Sequence, residues 1–334
     1  MVTRKVRASE PSKETIATVA KLVANVSIAS VKVWLKGQHL KSSANTRQQL
    51  ERRLAGLIDS GELPQEVLRQ AVIGIEESGG KRVQFFEISG ELPVSRVEAM
   101  LRASGADLST QREFAAKAAR PKLVYAMLSV EEIRMKWSED HHKLKVDLEE
   151  ERVDWVPVKK VIVLRINLKT KQALIQYDTP EVKHPHGTGK GKTAPSLYFE
   201  HYKSTVEQLL GVTLVASELR GVLKRMIEEQ PPIVKVRVQD HTNQQGNRIR
   251  VTARKNDVRQ DLDWQAMHTQ NGQGWAYDSH SFDWISAASN GKLKRDLFSA
   301  LDADEAFVRV PADCNEEELD YVIEQVRSRQ AKSS

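Results

Sequence analysis

The sequence predicts an α+β fold: a basic helical domain over residues 1–120, followed by a mixed, mainly antiparallel α+β domain over residues 121–334. Three observations predict it. Apolar residues recur at helical spacing through the first eighty positions. Beyond residue 121, alternating strands come in pairs joined by short turns, the pattern of antiparallel pairing and not of a doubly wound parallel sheet. The chain of 334 residues is long for one core, and Arg120-Pro121 marks a division, because proline disfavours helix in the residue before it.

Residues 1–10 form a charged end, and Pro11 to Ser78 read as helix and turn. Over residues 45–60, Leu50, Leu54, Leu57 and Ile58 fall on one helical face, with Arg47, Arg52 and Arg53 off it. Ser60-Gly61-Glu62-Leu63 is a short turn into a helix that starts at Pro64. That helix is expected to bury Val67, Leu68, Ala71, Val72 and Ile75 and stops at Ser78-Gly79-Gly80. Lys81–Ile88 then reads as a strand. Helix, four-residue turn, helix, glycine turn and basic strand is a winged-helix-like order. Its second helix offers only Arg69 and Gln70 for base reading and carries Glu66, Glu76 and Glu77. Helices over 94–103 and 109–119 complete the first domain.

In the second domain, residues 122–129 are strand-like, and 159–167 pairs with 172–178 around the turn 168–171. Helices are expected near 204–210 and over 213–229, the latter with Leu219, Val222, Leu223, Met226 and Ile227 on one face. A second strand pair, 233–238 with 248–255, surrounds Asn243-Gln244-Gln245-Gly246-Asn247. A strand at 306–310 and an acidic amphipathic helix from Asn315 close the chain, the helix burying Leu319, Val322, Ile323 and Val326.

Charge is distributed unevenly. The chain carries a net +6, yet its first sixty residues hold eleven lysines and arginines against four carboxylates. A second basic stretch, 232–259, holds seven against two. There Lys235 and Arg237 alternate with valines, and Arg248, Arg250 and Thr252 alternate with Ile249 and Val251. Period two collects the cations on one face of a two-stranded ribbon, with Arg254 just beyond it. Such ribbons enter nucleic-acid grooves, and each cation near a phosphate releases counterions. The candidate nucleic-acid contacts are therefore Arg47, Arg52, Arg53, Lys81, Arg82, Lys235, Arg237, Arg248, Arg250 and Arg254. Lys190 and Lys192 join them from the glycine-rich loop 179–196, where glycines permit close backbone approach.

No chemistry of catalysis stands out. Gly191-Lys192-Thr193 ends like a phosphate-binding loop, but His186 stands where its first glycine belongs. His184 and His186 have the spacing of metal ligands, with His201 or Glu200 as candidates to complete the set, but only the His-x-His pair is visible, and the adjacent His141 and His142 point to opposite faces of a strand. Glu181-Val182-Lys183 has the local form of a nuclease motif but follows Pro180, outside any strand. Cys314 precedes an acidic helix, which raises a thiol's pKa. The expectation is a nucleic-acid-binding protein, DNA or RNA, without catalytic activity, cofactor or metal. The alternative is a protein-interaction subunit that makes its contacts through Trp264, Trp275 and Trp284 or the acidic C-terminal helix, since aromatic residues are enriched at interfaces. A metal-dependent nuclease is third. One cysteine, no run long enough to span a bilayer and no export signal point to the cytoplasm, or to the nucleoid or nucleus if the protein is DNA-bound, and away from a membrane.

Overall fold

The computed structural model describes residues 10–103, 108–114, 121–147, 152–178, 194–253, 256–311 and 313–330. Four helices open the chain: α1 (Lys13–Val23), α2 (Ile28–Gly37), α3 (Arg47–Asp59) and α4 (Gln65–Ser78). Ser12, Ser27 and Thr46 accept backbone N–H groups at the starts of the first three, which fixes where each helix begins. Leu50, Leu54 and Leu57 of α3 meet Leu68, Val72 and Ile75 of α4 and Val19, Val23, Val31 and Leu35 in one apolar cluster. Val67 is exposed, on the flank of α4 away from that cluster.

Strand β1 (Lys81–Ser89) follows Gly80, whose φ of 68° lets the chain reverse directly after α4. It does not form a wing. It lies inside the sheet, paired antiparallel with β5 (Gln172–Asp178) on one side and with β11 (Phe307–Arg309) and β6 (Thr213–Ala216) on the other. A wing requires an exposed edge; Val83, Phe85, Phe86 and Ile88 are all buried.

Among the described residues the sheet has eleven strands, in the order β2-β3-β4-β5-β1-β11-β10-β9-β7-β8, with β6 beside β1. The remaining strands are β2 (Lys122–Leu128), β3 (Glu132–Asp147), β4 (Arg152–Asn167), β7 (Val234–Thr242), β8 (Arg248–Thr252), β9 (Ala276–Trp284) and β10 (Leu297–Asp302). Every pairing between these strands is antiparallel. The expected helix at 109–119 is absent over its described part: Leu108 bridges to Ala126, and the Ser109 hydroxyl donates to the carbonyl of Gln111 in a turn. Residues 213–216, expected as helix, extend the sheet as β6, and helix begins only at α7 (Arg220–Glu228).

Helices cover the sheet unequally. On one face, α5 (Val94–Ala103) and α6 (Ala194–Leu210) pack over the β2–β5 half, burying Phe86, Ile133, Met135, Trp137, Ile162 and Tyr177. On the other face, α7, α8 (Leu262–Asn271) and α9 (Glu316–Gln330) cover the β7–β11 half, burying Val234, Val236, Phe282, Trp284 and Val308. Among the described residues, no helix lies over the first face beyond β1. No single described helix is long and apolar enough to cross a membrane.

Candidate nucleic-acid interface

The basic ribbon forms as an edge and not as a free hairpin. Strands β7 and β8 pair around the turn at 243–247, while β7 also pairs with β9 on its inner side. The alternation in β8 is regular: Arg248, Arg250 and Thr252 are exposed, and Val251 packs against the core. In β7 the alternation breaks. A bulge at Arg237 inserts one residue between Val236 and Val238, so the inward positions change from valine to Gln239 and His241. Gln239 accepts the Trp264 indole N–H at 2.8 Å, and His241 stacks on Trp275 with ring centroids 3.7 Å apart.

Cross-strand neighbours in an antiparallel sheet share a face, so the register defines what surrounds the arginines. Arg250 aligns with Asp240, Ser279 and Asp302, and Thr252 aligns with Val238, Ser281, Ala300, Arg309 and Arg82. Lys235 aligns with Asp283 and Phe298. This is the uncovered face. It presents Lys235, Arg237, Arg248, Arg250 and Arg309 together with Phe298, which is 50% exposed. Sequence reading missed Phe298 and Arg309, although Leu297, Ser299 and Leu301 alternate with Phe298, Ala300 and Asp302 as a half-buried strand should.

Carboxylates temper the charge. Arg237 donates to Asp283 through Nε at 2.6 Å and Nη2 at 2.5 Å. Asp240, almost buried, lies 3.4 Å from Arg248 and 3.7 Å from Arg250 and also accepts from Ser279. The two β8 arginines nevertheless remain 66% and 67% exposed, with their heads in reach of solvent anions. A cleft of about 650 Å³ adjoins this face, bounded by Phe298 and Arg309 and, across from them, by Asn25, Ser27, Gly80 and Lys159.

The other expected contacts are placed elsewhere. Lys81 is 1% exposed, its ammonium donating to Asp178 at 2.7 Å and to the Val161 carbonyl at 3.3 Å. It is an internal strut, because β1 is central and its first side chain points into protein. Arg82 does share the uncovered face, aligned with Arg309, but it lies over the Phe307 ring at 4.5 Å and 3.8 Å from Glu305, with its side chain 16% exposed. Arg47 donates to the carbonyls of Val23 and Val26 at 2.8 and 2.6 Å, satisfying the C-terminal end of α1, so it holds the helices and is not on offer to phosphate. Arg52 is exposed and Arg53 half-buried. Lys190, Lys192 and Arg254 lie outside the described residues, as do His184, His186 and Glu181.

Trp264, Trp275 and Trp284 are buried in the core, with the Trp284 indole donating to Ser299 at 3.2 Å. The C-terminal helix is not a free acidic surface either: Glu316 pairs with Arg112 and Arg134, Asp320 with Arg165, Glu318 with Arg295 and Glu324 with Lys292. Cys314 is buried, and burial with nearby Glu318 pushes its thiol far above the usual value, which leaves it protonated and unreactive. His141 sits 2.5 Å from Glu139. Among the described residues, no group of three or more His, Cys, Asp or Glu side chains is placed to hold a metal ion. No family model matches the chain, and no curated protein matches it either.

Proposed function

We propose that this protein binds nucleic acid through the uncovered face of β7–β11, mainly by phosphate contacts. The observation that carries the reading is the convergence of Lys235, Arg237, Arg248, Arg250 and Arg309 on one sheet face without a covering helix. Five cations face three carboxylates there, Asp240, Asp283 and Asp302, so the surplus is small. Binding is expected to be weak, sequence-tolerant and steep in salt. About four phosphate contacts correspond to about a hundredfold loss of affinity between 50 and 200 mM salt. In this reading α1–α4 form the helical domain and the sheet with its helices the second, β1 and α5 falling with the sheet. The exposed cations of α1 and α3, Lys13, Lys21 and Arg52, add long-range attraction. The reading assigns the protein a binding role in the cytoplasm, with no reaction of its own.

The test is fluorescence anisotropy with DNA and RNA across a salt series, comparing the natural chain with Arg248→Gln/Arg250→Gln. Glutamine is the cleaner substitution, because glutamate at 250 would stand directly across from Asp240, and like charges opposite each other destabilise a strand pair. The double variant should stay folded, with a modest drop in melting temperature because Asp240 keeps only Ser279 among the described residues, and lose at least tenfold in affinity. Unchanged affinity in the folded double variant rejects this face as the binding surface.

A further inference from the structure

The opposite face of the sheet carries a ladder of ion pairs that breaks at one position. Arg134 of β3 and Arg165 of β4 are register partners beneath α9. Glu316 of α9 takes Arg134 at 3.0 Å, and Asp320, one turn on, takes Arg165. Two further turns along the same stripe stands Arg327, a cation where the ladder would place another acid. Its Nε and Nη2 are buried without a hydrogen-bond partner, and it makes no ion pair among the described residues. Beside it is a cavity of about 150 Å³, lined by Glu131, Glu132, Arg165, Asn167 and Arg327.

Donors converge on that cavity. Arg165 spends Nε on Glu132 and Nη1 on Asp320, which leaves Nη2. The Asn167 carbonyl accepts the Thr170 N–H, so its amide nitrogen keeps its donors. Of the two lining carboxylates, Glu132 is engaged by Arg165, and Glu131 is exposed. Guanidinium nitrogens buried with their donors unmet, as Nε and Nη2 of the half-buried Arg327 are, are costly to keep unless an anion meets them. We infer that this pocket is a binding site for a small tetrahedral oxyanion, phosphate or the terminal phosphate of a larger ligand, held by Arg327, Arg165 and Asn167. Burial, reinforced by the neighbouring Arg165, depresses the Arg327 pKa to about 10, although Glu132 and Asp320 act the other way. The pocket lies across the sheet from the nucleic-acid face and stands without that reading.

Isothermal titration of the full chain with inorganic phosphate in a chloride buffer tests this. Saturable binding is expected in the natural chain, with at least tenfold weaker binding in Arg327→Gln. In phosphate-free buffer Arg327→Gln should melt no lower than the natural chain, since it removes two buried guanidinium nitrogens with unmet donors. A nucleoside monophosphate titrated in parallel separates the sources: tighter binding than phosphate assigns the site to part of a larger ligand, equal or weaker binding to the free ion. Equal phosphate affinity in both proteins overturns the site, as does no saturation by about 50 mM. So does a lowered melting temperature in both Arg327→Gln and Glu131→Gln without phosphate, which would show Glu131 turning in to pair with Arg327.

Discussion

Replacing Glu77 with glutamine should destabilise the fold by about 3 kcal/mol, and the structure shows why the figure is neither smaller nor larger. Glu77, at the end of α4, is 1% exposed and lies 2.5 Å from Arg134, 3.2 Å from Lys136 and 3.4 Å from Arg112. Tyr125 also donates its hydroxyl to it at 3.0 Å. Breaking a buried pair by removing one partner costs about 3–5 kcal/mol, because the other charge is left uncompensated. Here the loss belongs at the low end. Lys136 keeps Glu76 at 3.0 Å, Arg134 and Arg112 keep Glu316, and glutamine can still accept from Tyr125. Urea unfolding at pH 7 measures it, read from a lower midpoint at an unchanged slope. The acid limb gives a second check. Burial alone would raise the Glu77 pKa, but Lys136, Arg134 and Arg112 outweigh it and hold the carboxyl below its usual value. A depressed carboxyl contributes its stability above its unfolded pKa, near 4.3, and loses it as pH falls through the lower folded value. The difference between the two proteins should therefore shrink only below about pH 4. A cost under about 1 kcal/mol at pH 7 refutes the idea that this carboxylate joins α4 to the sheet.

Asp240→Asn should strengthen nucleic-acid binding severalfold, because it frees Arg248 and Arg250 from the carboxylate beneath them. Anisotropy at fixed salt reads it, and weaker binding would contradict the placement of phosphate over β8. Stability should also fall between about pH 6.5 and 4, because burial and the neighbouring His241 depress His280 to about 4, against the Ser279 backbone hydrogen bond and Asp240, which act the other way. A histidine held neutral in the fold stabilises it fully above the unfolded pKa near 6.5, and the unfolded chain takes up the proton first as pH drops. His280→Asn should flatten that limb of the melting-temperature profile; an identical slope in both proteins removes His280 as its cause.

Much of the fold was legible because local pattern and burial agree. The stripes Leu50-Leu54-Leu57, Val222-Leu223-Met226-Ile227 and Leu319-Val322-Ile323-Val326 are buried as helical spacing requires. Strand β3 was legible in principle, but only its His141-His142 step was read as strand and the rest was missed. Ile133, Met135 and Trp137 alternate with Arg134, Lys136 and Ser138, but both sets are buried or nearly so, one under α6 and one under α4 and α9. A charged alternation reads as a solvated face when the partner that neutralises it, here Glu76 or Glu77, comes from a different element. Lys81 fails for the same reason: its carboxylate partner is 97 residues away. Whether a cation is spent inside the protein or offered to a ligand is a property of its long-range partners, and composition counts both alike.

The ribbon shows how a correct local reading can rest on an incomplete cause. Period two places Lys235 and Arg237 opposite the valines, and so far the strand obeys it. The bulge at Arg237 then shifts the phase, and without it Asp240 would point into the core and Gln239 and His241 toward solvent. With it, two polar side chains enter the core, where Trp264 and Trp275 receive them, and a carboxylate moves to the outer face beneath Arg248 and Arg250. One inserted residue thus sets both the lining of the core and the net charge of the proposed binding face. The tryptophans, which composition suggests for a partner, are needed inside because the strand they cover is polar there. The arginines of β8 stay outside, but carry less free charge than their number implies. That is why affinity here should respond to Asp240 as strongly as to any single arginine, a relation that no count of lysines and arginines contains.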